Sequence, residues 1–299
     1  MRRSGIMKAI AFVTAALIFI LYITSGQAYF NMLTIATEQN VFAYSNEIQD
    51  NNIQMKPLSR GDVMDKKKQE INLKLMTYNI HRGIGRNGRL NLNAVADVIK
   101  ASNATIIALQ EVERHSIRTV FQDQIKQLSV NTDMNYAYGK SINVLNGEYG
   151  NGLLSKYPIE EYKVYDLPSN SEQRTVLRTI INVDGLKVAV YNTHLGLTES
   201  ERKEQLYFIM QMTSEEKLDH VLMGDMNTIA DKLSILAESM KDSALGSKKQ
   251  LQSTFVEKEV QERIDYIFVS PNMEVIDYDV IIGEASDHYP VVSEVVVNK

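Results

Sequence analysis

The chain has 299 residues, 44% of them hydrophobic, a formal net charge of −5 and no cysteine. This length and composition fit one or two globular domains with a substantial core, and the missing cysteine excludes disulfides, thiolate metal sites, cysteine nucleophiles and a lipidated N-terminal cysteine. Any metal must therefore sit on oxygen and imidazole, which favours Mg²⁺, Mn²⁺ or Ca²⁺ over Zn²⁺.

Residues 1–28 read as an export segment. Arg2, Arg3 and Lys8 form a basic n-region, Ala9 to Ile23 is an uncharged apolar run of 15 residues, and Ser25 to Ala28 supply small residues at a cleavage site. The run falls short of the roughly 20 residues of a spanning helix. It continues uncharged to Phe30, so a cleaved signal peptide and a retained N-terminal signal anchor both fit. Either reading places the remaining chain outside the cytoplasm, secreted or anchored, with membrane contact only through this segment. Residues 29–72 read as a polar linker. They are rich in Asn, Gln, Asp and Lys, include the solvated run Lys66-Lys67-Lys68, leave room for a short helix at Thr34 to Glu47, and lack a sustained period.

From Leu73 to residue 299 the pattern is that of an α+β domain. Leu73 to Ile80, Thr105 to Gln110, Leu186 to Tyr191, His220 to Met223, Ile264 to Val269 and Val291 to Val297 are strand-length and β-branched, several without polar alternation. Helices fall between them. Asn93 is placed to cap Ala94 to Ala101, whose Val95, Val98 and Ile99 share a stripe. Thr198 and Glu201 form a capping box ahead of Gln205 to Met210. Gly152 and Pro158 predict a short strand near a turn around Leu153-Leu154. No internal repeat is present. Residues 73–299 carry 24 Lys plus Arg against 31 Asp plus Glu, a balance of −7. A protein held by many phosphate contacts normally shows a basic face, so a high-affinity nucleic-acid binder is disfavoured, whereas a local patch or a metal can still serve one phosphate.

The apolar runs end on polar groups. Glu111 closes one run as a carboxylate suited to a hard cation, and Asn79 closes another before a turn containing Gly83, Gly85 and Gly88. In Gly224-Asp225-Met226-Asn227 the two polar residues are two apart and point the same way in extended chain. A carboxylate and an amide can thus address one ligand. His194 ends a further run, His288 follows Ser286-Asp287, and imidazole exchanges protons near neutral pH. Asp265 is able to orient such an imidazole. Taken singly, each group is equally consistent with turn chemistry or a strand-end ion pair.

Taken in order, Tyr78-Asn79-Ile80, Leu109 to Val112, Asn192 to Leu195, Gly224 to Asn227, Arg263 to Ile267 and Ser286 to Val291 resemble the endonuclease/exonuclease/phosphatase (DNase I-like) family over residues 73–299. The resemblance implies a four-layer αββα sandwich and one or two divalent ions, usually Mg²⁺. It implies that Asn79 and Glu111 hold the metal with Asp287 near it, and that Asp225 and Asn227 position the attacking water and the phosphate. His194 then matches the general acid of the DNase I-like branch, and Asp265 with His288 forms a carboxylate–imidazole pair. Asn151, in Tyr149 to Ser155, and Arg174 match positions that face the phosphate. The implied activity is metal-assisted, in-line hydrolysis of a phosphoester, chiefly a diester, by a monomer. The substrate is left open among a small molecule, a lipid headgroup and nucleic acid. A secreted DNase I-like endonuclease and a non-catalytic binding module on the same fold are the alternatives.

Overall fold

Strand β1 (Glu70–Asn79) is buried on alternate residues at its start and at every residue from Leu75 onward, as befits a central strand covered on both faces. The computed structural model describes residues 70–245 and 251–298. The readings placed on residues 1–69 lie outside the described residues, and among the described residues no helix is long and apolar enough to cross a membrane.

Two six-stranded sheets make the frame. The first runs in the order β13 (Glu274–Val280), β14 (Val291–Asn298), β1, β2 (Ile106–Arg114), β4 (Gly147–Ser155) and β3 (Asn135–Val144). The second runs β5 (Ile159–Asp166), β6 (Thr175–Val183), β7 (Leu186–His194), β8 (Asp219–Asp225), β12 (Asp265–Val269) and β9 (Lys241–Asp242). A small hairpin, β10 (Phe255–Glu257) with β11 (Val260–Glu262), stands apart from both. Each sheet contains one parallel pair, β1 with β2 and β7 with β8. Parallel neighbours need a crossover. Helix α1 (Leu92–Ser102) supplies it in the first sheet and α3 (Glu199–Ser214) in the second.

Leu73, Leu75, Ile106 and Leu153 of the first sheet interdigitate with Val188, Val190, Val221 and Ile267 of the second, forming the central core. Outside the first sheet, α1 and α2 (Gln124–Thr132) bury Val95, Ile99, Ile125 and Leu128 against Met76, Ile107 and Leu109. Outside the second, α3 and the 3-10 segment Ala230–Glu238 bury Leu206, Ile209 and Leu236 against Tyr191, Leu222 and Phe268. Each such side chain contributes about 1.5–3 kcal/mol of transfer free energy. The layers are therefore helix, sheet, sheet, helix, as the resemblance implied.

Two local readings need correction. Helix α1 begins at Leu92, and its cap is Asn91, whose Oδ1 accepts from the Ala94 N–H at 3.1 Å. The helix gains two residues at its start because Leu92 is itself buried beneath it. The strand around Leu153 is not short: β4 spans nine residues with Gly152 inside it. Glycine lets α2 pack close here: a Cβ would lie 2.7 Å from Ile125 Cδ1, so a larger residue would displace that side chain. The capping box at α3 is present, with Thr198 accepting from the Glu201 N–H at 3.3 Å.

Candidate active site

The two parallel pairs bring four strand ends to one rim. Asn79 ends β1, His194 ends β7 and Asp225 ends β8. Across the second sheet His194 is in register with Asp225, and Asp225 with Asp265 at the start of β12. Three candidate side chains thus stand in a row set by the ladder alone. The ends are stitched together, the Leu195 N–H donating to the Asp225 carbonyl at 2.9 Å and the Met226 N–H to the Ile264 carbonyl at 2.7 Å. Gly224 precedes Asp225 because a Cβ there would collide with the Thr193 carbonyl.

Glu111 reaches the rim differently. The β2–β4 register slips between Leu109 and Val112, and Glu111 sits in the left-handed region at φ 58°. Such bulges re-aim a side chain, and a non-glycine residue held there stores backbone strain at a working position. The bulge turns the Glu111 carboxylate toward Asn79, whose Nδ2 donates to Glu111 Oε1 at 3.3 Å and to Asp225 Oδ2 at 3.0 Å. The Asn79 amide oxygen accepts from the His81 N–H at 3.0 Å. Asn79 therefore holds two carboxylates with one NH₂ group.

Asp225 is the hub. Its Oδ1 accepts from the Asn227 N–H at 2.9 Å. Its Oδ2 also faces His194 Nε2 at 3.5 Å and His288 Nε2 at 3.7 Å. Asn227, at φ 48°, spends its side-chain amide on the Leu195 carbonyl at 2.9 Å, locking β7 to β8. His288 Nδ1 donates to Asp265 Oδ2 at 2.9 Å, and Thr254 Oγ1 takes the Asp265 N–H at 3.1 Å. Asp287 lies beside His81, Oδ2 to Nδ1 at 3.5 Å, and the Ser286 hydroxyl donates to the Asn79 carbonyl at 2.8 Å.

Burial and charge divide the two imidazoles. Burial pushes His194 down to about 3, against the pull of Asp225. Burial would lower His288 as well, but Asp265 and Asp225 outweigh it and lift the imidazolium to about 10. Burial raises the Glu111 carboxyl, opposed by the Asn79 hydrogen bond. A cation beside Glu111 would relieve that penalty.

These residues line one cleft of about 350 Å³. It includes Glu111, His194, Asp225, Asn227, Asp287 and His288, together with Arg174. Arg174 is 6% exposed, pairs with Glu172 at 3.1 Å, and leaves its Nε without a partner. Asn79 and Asp265 stand beneath this lining, bonded to Asp225 and His288. Asn151 makes neither contact. It lies behind the wall at 2% exposure, donating to the Thr175 carbonyl at 3.1 Å. Sequence reasoning missed three supports. Arg86 donates to the Val256 and Asp287 carbonyls at 2.7 and 2.8 Å, tying the small hairpin to the site. Phe255 packs on the His288 ring at 4.9 Å. Tyr149 lines the cleft beside Arg174. The Gly-rich turn around Arg86 was a visible signal; the other two depend on pairings remote in sequence.

The donor chemistry suits a divalent cation. Asp225, Asp265 and His288 offer ligand atoms within 4.8 Å of one another, and oxygen with imidazole is the set expected of a chain without thiols. In this arrangement the His288 Nδ1 is already engaged by Asp265. Glu111 and Asp287 also line the cleft, so it holds two further carboxylates.

A family model described as Endonuclease/Exonuclease/phosphatase family matches residues 76–288. An Escherichia coli K12 protein, Uncharacterized protein YbhP, is 32% identical over 158 residues, 49% of this chain and 62% of that protein. A 5'-tyrosyl-DNA phosphodiesterase of Caenorhabditis elegans is 26% identical over 192 residues, 60% of this chain and 50% of that protein. The match thus spans less than two thirds of either relative's length. The crystal structure of an endonuclease/exonuclease/phosphatase from Beutenbergia cavernae superposes with a TM-score of 0.64 at 23% identity, covering 75% of this chain and 71% of that one. With the motif strands, the four layers and the cleft at their rim in agreement with a match of that extent, the chain belongs to the endonuclease/exonuclease/phosphatase family.

Proposed function

We propose that the protein hydrolyses phosphodiester bonds by in-line attack of water, with a divalent cation, Mg²⁺ first among candidates and Mn²⁺ or Ca²⁺ next, held by Glu111 and Asp287 and ordered through Asn79. The observation that carries this reading is the convergence on Asp225 Oδ2 of Asn79 at 3.0 Å, His194 at 3.5 Å and His288 at 3.7 Å. When bound, the cation supplies neutralisation of charge on the phosphoryl oxygens.

The chain's own groups do the rest. Asp225 is fixed through Oδ1 by the Asn227 amide and presents Oδ2 to the cleft, where it orients the attacking water. Asp265 holds the His288 ring so that Nε2, carrying its proton, faces the same point. His194, which burial keeps neutral, occupies the other side of Asp225 and is placed to hydrogen-bond a phosphoryl or leaving oxygen rather than to protonate it. Arg174, largely buried but lining the cleft, offers its guanidinium as a fixed donor to a phosphoryl oxygen. Asn151 acts behind the wall, bracing Thr175, which follows Arg174.

The protein acts outside the cytoplasm, exported by its N-terminal segment. The uncharged run Ala9 to Ile23 after a basic start supports this placement. Hydrolysis of bis(p-nitrophenyl) phosphate by the full chain with Mg²⁺, reversed by EDTA, tests the reaction. A nuclease nicks plasmid, whereas a lipid or small-molecule phosphodiesterase leaves plasmid intact and turns over sphingomyelin or phosphoinositide. Absence of hydrolysis with Mg²⁺, Mn²⁺ and Ca²⁺ alike would contradict the reading.

A further inference from the structure

Glu113 is the least expected carboxylate in the molecule. It lies on β2 two residues past Glu111, with its side chain fully buried. Its partners are the Arg118 guanidinium and the Thr119 hydroxyl, the latter at 3.3 Å. A buried charge that loses its partner costs several kcal/mol, so Glu113 has one evident purpose, which is to hold Arg118. The 3-10 turn Ile117–Thr119 that carries Arg118 is itself fastened, Ser116 accepting from the Arg118 N–H at 3.2 Å and the Ile117 N–H donating to the Leu145 carbonyl at 3.3 Å.

So fastened, Arg118 is 34% exposed and lines the cleft. Its guanidinium lies 6.0 Å from the centre of the Tyr149 ring. Arg174 reaches the same tyrosine side chain and electrostatically faces His194. Arg118, Tyr149 and Arg174 thus share one wall of the cleft that also holds Asp225. The proposed reaction uses Arg174 for the scissile phosphate and finds no work for Arg118. Glu172 is the opposing charge on this wall. It is partly exposed and pairs with Arg174 Nη1 at 3.1 Å.

We propose that Arg118, set by Glu113, forms a second anion subsite in the same cleft as the reacting centre, sharing Tyr149 with Arg174, for a phosphate that flanks the scissile one. This rests on the phosphodiesterase reading of the cleft and narrows its substrate class. Substrates whose scissile diester adjoins another phosphate fit, as in a phosphorylated oligonucleotide end or a phosphorylated inositol headgroup. A cationic headgroup such as choline would meet like charge.

The full chain with Mg²⁺ is assayed on two substrate pairs: thymidylyl-thymidine with and without a 5'-terminal phosphate, and glycerophosphoinositol with and without a 4-phosphate. A charge-assisted contact predicts a KM about ten-fold lower for the phosphorylated member of at least one pair. The pair that responds identifies the source. Arg118→Met alone strands a buried carboxylate, so the decisive variant is the double Glu113→Gln/Arg118→Met, which removes both charges together. It should abolish the KM preference and leave kcat on the unphosphorylated member unchanged, while Arg118→Lys retains part of the preference. Glu172→Gln should enlarge it. Equal KM values within both pairs for the wild type, or a preference that survives in the double variant, would overturn the subsite while hydrolysis itself persists. Loss of hydrolysis of every substrate by the wild type would instead sink the phosphodiesterase reading, and the subsite with it.

Discussion

Asn192→Ala removes the side chain that ties the two sheets together directly behind the site. Asn192 lies on β7 and is fully buried. Its Nδ2 donates to the carbonyls of Leu109 at 2.9 Å and Gly152 at 2.7 Å in the opposite sheet, and its Oδ1 accepts from Gln110 Nε2 at 2.7 Å. Leu109 and Gly152 are paired residues at the edge of the bulge that aims Glu111. The substitution strands two carbonyls and loosens one amide inside a dry layer. A buried group left without its partner costs about 1–3 kcal/mol, so the three together cost about 3–6 kcal/mol after partial relaxation. That is a large share of the roughly 5–15 kcal/mol that keeps a domain folded. At about 2–4 °C per kcal/mol for a domain of this size, the thermal midpoint should fall by about 6–24 °C. Circular dichroism against temperature and urea measures it, with Asn93→Ala on the exposed face of α1 as the control. Turnover should also fall, because Glu111 loses the bulge geometry. A shift no larger than that of Asn93→Ala would refute the reasoning.

Other outcomes follow from the same structure. Glu201 is held at about 2, first by the Asn170 N–H and then by the Thr198 and Ser171 hydroxyls. Its folded value lies below the ordinary 4.5, so its contribution to stability is present above that value and lost as pH falls toward about 2. Urea midpoints at pH 7 and pH 3 should drop less in Glu201→Gln than in the wild type; parallel declines would contradict the assignment. Asp265→Asn leaves His288 without its orienting carboxylate and should lower kcat by at least about 10²-fold, with little change in KM. An unaltered kcat would exclude the pair from the chemistry. Mn²⁺ at a hundredfold excess over its dissociation constant should add about 2.7 kcal/mol of stability, raising the thermal midpoint by about 5–11 °C, and Glu111→Gln should remove most of that rise. An equal rise in both proteins would place the cation elsewhere.

The rim of the site was readable in the sequence because buried strands announce themselves as apolar runs and their ends as the polar residue that stops the run. Glu111, His194, Asp225, Asn227, Asp287 and His288 all reach one cleft, and Asn79 stands behind them, bonded to Glu111 and Asp225. Ladder register explains how His194, Asp225 and Asp265 come to stand side by side. The bulge at Glu111 was not readable, since nothing in Leu109 to Val112 marks it; it arises from pairing with β4, about forty residues away. Asn151 shows the converse. Its motif pointed to the phosphate, while its NH₂ group is engaged by Thr175. Strands β3 and β5 escaped notice because edge strands mix exposed and buried residues and carry no apolar run. The Glu113–Arg118 pair was silent for a similar reason, as a buried carboxylate and a surface arginine look alike until the fold closes around one of them.

The most direct measurement compares Mg²⁺-dependent hydrolysis of bis(p-nitrophenyl) phosphate by the wild-type chain, Asp225→Asn and His194→Ala, with the far-ultraviolet circular dichroism of each recorded alongside. Hydrolysis by the wild type, its loss in both variants and superimposable spectra are the predicted result. Full activity in either variant with an intact fold would contradict a reaction centred on Asp225.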